Sequence, residues 1–238
     1  MHSFFFIVIQ PWLSPLQQYV NQPREIMHTN NSHIQAFWRL VSDNVQELCS
    51  LASEQAALSP EFLDALHAGL QAIDPCLTVF CTPVDDATTV HMVFGCDGYQ
   101  QGIDQVLQLV AAAPPLEGVK PLAFSPRDSH IPDAIDLNGL LVQLEDVYFS
   151  LRRVQGNLHL DLYLEDINMH ADDLRVEAVL MFLEAIIGEY DMMTCISSID
   201  WHDLPVDPED HGLKPLSDLR QNYDDLGPLN ADYGTQLH

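Results

Sequence analysis

The sequence predicts an α+β fold with two layers: a mostly antiparallel sheet, and helices packed mainly on one face of that sheet. Three observations lead to this prediction. Segments with apolar residues at every third or fourth position indicate helices, whereas β-branched or strictly alternating runs indicate strands. Short turn signals join most of the strands directly, which is typical of hairpins. The predicted order, α-α-β-β-α-β-β-β-α-β, therefore groups strands together and sets the helices to one side.

Two helices come first, followed by a hairpin. "SHIQAFWRLVSDNVQELCSLA" has helical spacing behind the N-cap Ser32, and "SPEFLDALHAGLQAID" begins with Ser59 as the cap and Pro60 in the first turn. The β-branched runs "CLTVFCTP" and "TTVHMVFGC" are joined by "VDDA", which predicts a hairpin. "GYQQGIDQVLQLVAAAPPL" returns to a helix that ends at its two prolines, and "KPLAFSP" is a short strand.

The clearest element is a second hairpin, "EDVYFSLRRVQGNLHLDLYLED", in which two alternating strands flank Gly156. The turn is either Gln155-Gly156 or Gly156-Asn157, and both alternatives keep the same residues on each face because they differ by a shift of two. Its alternate leucines form an apolar face, and the residues between them form a polar one. A weak strand over 135–144 precedes it. A helix near 172–187, ended by Gly188, and the strand "MMTCISSIDW" follow it.

We expect a single α+β domain over residues 31–204. Residues 1–30 are expected to be a poorly ordered extension. Their apolar run Phe4–Ile9 is too short for a secretion signal or a bilayer span. Met27 precedes a more natural start, so residues 1–26 are either such an extension or an over-long start assignment. Residues 205–238 are rich in Pro and Asp, and we expect an acidic extended tail packed on or near the domain, with a short helix at "PLSDLRQNY".

The charge of the chain restricts its partners. Thirty-five Asp and Glu face nine Lys and Arg, a formal net charge of −26. Such a field repels DNA, RNA and anionic lipid, and it attracts a basic protein. The other interpretation is that the charge serves solubility alone. The five cysteines form no CxxC pair, which favours reduced thiols and a cytoplasmic location.

No pattern of residues indicates a catalytic centre, so we predict no catalytic residue, metal or cofactor. GxSxG, HExxH and phosphate-loop patterns are absent from the sequence. One alternative is a metal-dependent hydrolase that uses His159, Asp161, Glu165 and His170. The simpler interpretation of that strand face is a wet surface on which Arg152 pairs with Asp161 or His159.

A positively charged partner would meet carboxylates that follow the second hairpin and continue through the tail. Acids interleaved with aromatic residues suit a groove that receives Lys and Arg side chains. The predicted contact residues, with Tyr223 as an aromatic anchor, are Glu165, Asp166, Asp207, Glu209, Asp210, Tyr223, Asp224 and Asp225.

Several short motifs carry a resemblance to known proteins. "AAAPPLEGVKPLAFSPRD", "EDVYF" and "IIGEYD", together with "FWRLV" and "FGCDG", resemble an uncharacterised family of bacterial α+β domains over Phe37–Leu204. This resemblance implies the fold rather than an activity. Val119 stands where the family commonly has an aromatic residue and Ser125 where it has Arg, which argues against a shared ligand at that turn.

More loosely, the chain is similar to the acidic cytosolic immunity proteins encoded beside antibacterial toxins, including those of type VI secretion. That similarity implies an inhibitor that binds and blocks a toxin, often a basic nuclease. We therefore expect a non-enzymatic immunity protein, with a secretion-system adaptor as a further alternative. The apolar helix "VEAVLMFLEAII" leaves two interpretations open, a surface for a homodimer or burial in the core.

Overall fold

The predicted α+β class is confirmed by the computed structural model, which describes residues 26–52, 57–84, 88–167 and 173–226. The chain divides into two compact units, Met1–Phe124 and Ser125–His238. This boundary lies inside the range 31–204, and whether both units form one domain stays a prediction. Of the expected extension 1–30, only the last five residues fall within a described element, the first helix.

The first unit contains helices around a three-stranded sheet of order β1-β2-β3. Its helices are α1 (Ile26–Asp43), α2 (Val45–Ser50), α3 (Pro60–Ile73) and α4 (Ile103–Ala111), and its strands are β1 (Thr78–Pro83), β2 (Val90–Gly95) and β3 (Val119–Ala123). β1 and β2 form the predicted antiparallel hairpin. β2 and β3 are parallel, which requires a crossover, and α4 provides it.

Aromatic residues fill the core of the first unit. Phe37, Trp38 and Phe94 meet edge to face, with ring centroids 5.4 to 5.8 Å apart. The Trp38 indole donates a hydrogen bond of 2.8 Å to the carbonyl of Leu109, which satisfies its buried N–H and ties α1 to α4. The predicted cap of α3 is confirmed, since the Ser59 hydroxyl accepts from the backbone N–H of Phe62.

The second unit has a four-stranded sheet of order β8-β7-β6-β9 and a separate hairpin, β4-β5. Its strands are β4 (Ala134–Leu137), β5 (Leu140–Gln143), β6 (Tyr148–Val154), β7 (Asn157–Leu164), β8 (Ile196–Asp203) and β9 (Lys214–Pro215), and its helices are α5 (Leu174–Ile187), α6 (Glu189–Cys195) and α7 (Leu219–Leu226). β7 and β8 are parallel, with α5 and α6 in the connection between them.

The β6-β7 hairpin selects one of its two predicted turns. Val154 pairs with Asn157, so the turn is Gln155-Gly156. Both turn residues have positive φ, 52° and 93°, as a two-residue hairpin turn of type I′ requires. The predicted leucine face is confirmed, because Leu158, Leu160, Leu162 and Leu164 are all buried.

Helix α5 lies at the centre of the second unit. Its buried residues are Ala178, Val179, Phe182, Leu183, Ala185, Ile186 and Ile187. They belong to one core cluster with the apolar face of β6 and β7, and with Leu219 and Tyr223 of α7. A helix that is apolar on nearly all sides is stable only when it is covered on nearly all sides. This helix is therefore core, which is the second of the two interpretations that its sequence leaves open.

Three sequence predictions for this unit need correction. The predicted strand over 135–144 is the hairpin of β4 and β5, because Asn138 and Gly139 both have positive φ and form a two-residue turn between Leu137 and Leu140. The segment Met192–Cys195 is helical rather than extended, because the Met192 N–H bonds to the Gly188 carbonyl and starts the turns of α6. Residues 205–226 pack on the fold and include the predicted short helix at "PLSDLRQNY", but they are not extended. They form short helical turns, β9 and α7, because Leu213, Leu216, Leu219 and Tyr223 are buried in the fold and draw the segment onto it. Residues 227–238 lie outside the described residues.

None of the helices within the described ranges combines the length and the apolar character needed to cross a bilayer.

Phe182→Ala should lower the free energy of unfolding by about 3–5 kcal/mol, because it leaves a cavity where α5 meets the sheet. Denaturant titration followed by circular dichroism measures this change. Glu177→Ala, on the exposed side of the same helix, should stay within about 0.5 kcal/mol of the unsubstituted protein. Equal losses in the two variants would show that α5 is not the centre of the core.

Candidate partner-binding surface

The outward side of β6, β7 and β8 carries a group of polar side chains, here called the polar sheet face. Its members are Arg152, His159, Asp161, Tyr163, Ser198, Asp200 and His202. The period of two along each strand turns them away from the leucine face. The parallel register then sets Asp161 beside Asp200, and Tyr163 beside His202.

Asp161 is the most buried carboxylate of the polar sheet face, at 6% exposure. Its Oδ2 accepts from Arg152, at 2.9 Å from Nε and 2.7 Å from Nη2. Its Oδ1 lies 3.3 Å from Nε2 of His202. Arg152 therefore pairs with Asp161, the first of the two partners that the sequence predicts, and the carboxylate charge is compensated within the sheet.

The histidines of this face are also engaged. Nδ1 of His159 lies 2.8 Å from the Ser198 hydroxyl, which donates to Oδ2 of Asp200 at 3.3 Å. The imidazole tautomer decides which of the two groups, His159 or Ser198, donates this hydrogen bond. The His202 ring stacks on Tyr163 with centroids 4.9 Å apart. Burial, with the neighbouring Asp161 carboxylate, raises the pKa of Tyr163.

This arrangement gives no support to a metal-dependent hydrolase. Within the described residues, no group of three His, Cys, Asp or Glu side chains converges to hold an ion. Asp161 is bound to Arg152, and His159 is directed at Ser198. Glu165 lies beyond the end of β7, and His170 falls outside the described ranges.

Carboxylates gather at one end of the same sheet, in a group that we call the acidic edge. Its members are Glu165, Asp166, Asp203, Asp207, Glu209 and Asp210, and all six are exposed. Because β7 and β8 are parallel, their carboxyl ends meet at this edge, where the Leu204 N–H bonds to the Leu164 carbonyl at 2.9 Å. The chain then crosses the end of the sheet to reach β9, which pairs with the first residues of β6.

One structural feature holds the acidic edge in place, and a second exposes its acids to solvent. The guanidinium of Arg175 donates to the carbonyls of Glu165 and Asp166, at 3.1 and 2.9 Å, and to the Asp173 carboxylate at 2.6 Å. It thereby fixes the turn that follows β7. Across the edge, a short helical turn, Pro208–His211, presents Glu209 and Asp210 to solvent. Five of the predicted contact residues thus lie on segments that meet at one end of the sheet.

Sequence reasoning missed Val206, which is 96% exposed between Asp203 and Asp207. An isolated valine in a segment rich in Pro and Asp carries no periodic signal that would distinguish it from a loop residue. In the structure it is an apolar side chain presented to solvent among carboxylates.

The prediction that Tyr223 anchors a partner is wrong, because the side chain is fully buried against α5. Its hydroxyl donates to Asp191 at 3.1 Å, and the Arg127 guanidinium lies 5.1 Å above its ring. Burial, followed by the hydrogen bond to Cys195, raises the pKa of this tyrosine. Tyr223 is a core residue whose polar end is satisfied internally.

The two acids that follow Tyr223 do not belong to the acidic edge either. Asp224 forms an ion pair of 2.6 Å with Arg127, and exposed Asp225 accepts from Gln221. α7 ends beside the β6-β7 turn, where the Leu226 carbonyl accepts from Arg153. That turn is at the opposite end of the sheet from Leu164.

The cations of the second unit are all used in internal contacts. This unit has 23 Asp and Glu against six Lys and Arg. Arg152 and Arg175 bind carboxylates, Arg153 and Arg220 bind carbonyls, Arg127 binds both, and Lys214 contacts Asn222. Among the described residues, no Lys or Arg forms an ion pair with a side chain of the acidic edge.

No protein-family model matches the chain, and no curated protein or solved structure matches it.

Arg152→Ala and Asp161→Ala should each lower the free energy of unfolding, whereas the double variant should lose less than the sum of both. The coupling should be about 1 kcal/mol or less, since Arg152 is half exposed, and it should shrink in high salt. A double-mutant cycle by denaturant titration measures it. Strict additivity at low salt would show that the pair contributes nothing.

Tyr223→Phe should make the protein less sensitive to alkaline unfolding. In the unfolded chain the phenol releases its proton near its ordinary pKa of about 10, whereas the buried phenol retains it. The unsubstituted protein should therefore lose stability as pH rises through 10, and the variant should lose less. Thermal unfolding of both proteins across pH 8–11 isolates this residue, because they share every other titrating group. Parallel curves would contradict the burial of Tyr223.

Proposed function

We propose that the chain is a non-enzymatic bacterial immunity protein that binds and neutralises a cognate toxin through the acidic edge. One observation carries the proposal: six exposed carboxylates lie across one end of the sheet, while all six Lys and Arg of the same unit serve internal contacts. Arg175, whose charge acts on Asp166, offsets part of the negative potential at this edge, and the remainder is available to an external cation.

The partner class that fits this surface is a basic protein with a cleft for a polyanion, such as a nuclease effector. Carboxylates spaced along a turn and a short helix offer the same charge as a polyphosphate substrate, and they steer the encounter electrostatically. Val206 supplies an apolar contact within the acidic edge, and it thereby takes the role of anchor that the sequence analysis gave to Tyr223. In this proposal Glu165, Asp166, Asp207, Glu209 and Asp210 remain contact residues, and Asp224 and Asp225 contribute only to the general field.

The proposal includes a cytoplasmic location. In support, none of the five cysteines, all of which lie in the described ranges, is joined in a disulfide. The alternative of a secretion-system adaptor also requires a basic partner. It differs in predicting a complex without protection from a toxin.

A rescue assay tests the proposal. The product of the neighbouring gene is expressed in a sensitive host with and without this protein, and the two proteins are then co-purified in low and high salt. Rescue with a complex that forms faster at low salt is the expected result. A complex without rescue would favour the adaptor, and neither rescue nor complex would reject the immunity function.

Neutralising five acids of the acidic edge (Glu165→Gln, Asp166→Asn, Asp207→Asn, Glu209→Gln and Asp210→Asn) should slow association with the toxin at least about tenfold at low salt. Stopped-flow or surface-plasmon kinetics measure the association rate.

The matched control neutralises five exposed acids of the first unit, Glu61, Asp64, Asp97, Asp104 and Glu117. It removes the same net charge, but it should change the association rate much less. If both variants slow association equally, total charge rather than the acidic edge attracts the partner.

A further inference from the structure

The outer edge of β8 is an open row of backbone groups. β8 is the terminal strand of the order β8-β7-β6-β9, and within the described residues no other backbone segment bonds to its outer side. In a strand, the backbone N–H and C=O groups of successive residues point alternately to its two sides. The bond from the Leu204 N–H to the Leu164 carbonyl shows which residues of β8 direct these groups at β7. Asp200 and His202 therefore direct their backbone groups at β7, whereas Ile199, Trp201 and Asp203 direct theirs outward.

Such an edge accepts a further strand unless something prevents it. With eight residues, β8 is long enough to serve as a template, and four of its side chains are exposed: Ser197, Asp200, His202 and Asp203. The strand also ends at the acidic edge, which begins with Asp203. An added strand would thus continue directly into that surface.

Charge decides which strand fits. A second copy of β8 would place another strand that carries Asp200 and Asp203 beside this one, between chains that each carry a net charge of −26. Like charges across a strand pair are destabilising, whereas opposite charges are favourable. The same carboxylates therefore oppose self-pairing and favour a basic segment.

We propose that an extended basic segment of the partner adds to β8 as a fifth strand, giving the order partner-β8-β7-β6-β9. This inference rests on the proposed function and specifies how the partner engages the same surface. Side chains alternate along β8, with Asp200 and His202 on the polar sheet face and Ile199 and Trp201 on the side that packs against the core. The matching segment alternates Lys or Arg with apolar residues.

Amide hydrogen exchange tests strand addition directly. The probe is an eight-residue capped peptide that alternates Lys and Val, added to the full chain at low salt. The amides of Ile199, Trp201 and Asp203 should exchange at least tenfold more slowly, because their outward N–H groups become hydrogen-bonded. A block peptide, with four Lys followed by four Val, carries the same charge and should give no such protection.

Failure of this inference is distinguishable from failure of the proposed function. If both peptides bind without protecting these amides, strand addition is rejected, although capture by charge stands. If neither peptide binds, strand addition is also rejected. Rescue from the toxin decides the immunity function independently of both results.

Asp203→Pro removes one outward N–H and leaves the ladder to β7 intact, so it should abolish protection of the neighbouring amides and weaken peptide binding. Asp203→Asn is the matched control, because it removes the same charge but keeps the N–H, and protection should persist. The same test can be made with the unaltered protein. The alternating peptide is N-methylated at successive residues, which removes the N–H groups that strand pairing needs, and this peptide should not protect the amides of β8. Equal protection by the methylated and unmethylated peptides would overturn the proposal.

Discussion

The second unit is organised around one requirement, the covering of α5. This helix has apolar side chains around nearly its whole circumference, so each neighbouring element supplies a surface for it: the leucine face of β6 and β7, the β4-β5 hairpin, and α7. Two arginines complete the enclosure at its carboxyl end. Arg127 donates to the carbonyl of Ile187, and Arg220 donates to those of Ala185 and Ile186. Since only one side of the sheet is needed for this core, the other side is left to polar residues.

The acidic character of the surface follows from the same requirement. The arginines that satisfy the last carbonyls of α5, or that hold the turn after β7, are fixed at those positions, where they also pair with Asp173, Asp191 and Asp224. With six Lys and Arg against 23 Asp and Glu, the unit commits its positive charge to closing the fold. The "FSPR" and "GEYD" motifs contact each other: Arg127 forms an ion pair with Asp191, and the buried Glu189 accepts a hydrogen bond from the Ser125 N–H. The two motifs therefore stabilise the fold. The excess of acids elsewhere on the surface produces the negative potential that a partner can bind.

Local signals in the sequence predicted much of this fold, because alternation, caps and turn residues are properties of neighbouring positions. Ser59, Gly188 and the Gln155-Gly156 turn are examples. The candidate surface was harder to predict, since it depends on the parallel pairing of β7 with β8, which joins residues about forty positions apart. The prediction that Tyr223 is an exposed anchor failed for a related reason. Its spacing from Leu216 and Leu219 fits a helix, but the surrounding Asp and Pro residues have the composition of a tail, and the α5 surface that the helix covers lies far away in the sequence.

The position of α7 in the chain also affects how the protein is made. Leu216, Leu219 and Tyr223 are translated after every other element that covers α5. Until these residues leave the ribosome, the nascent chain displays an incompletely covered apolar helix, which chaperones and proteases recognise. α7 follows the acidic edge in the chain, so a polypeptide long enough to cover α5 completely already contains every residue of that edge.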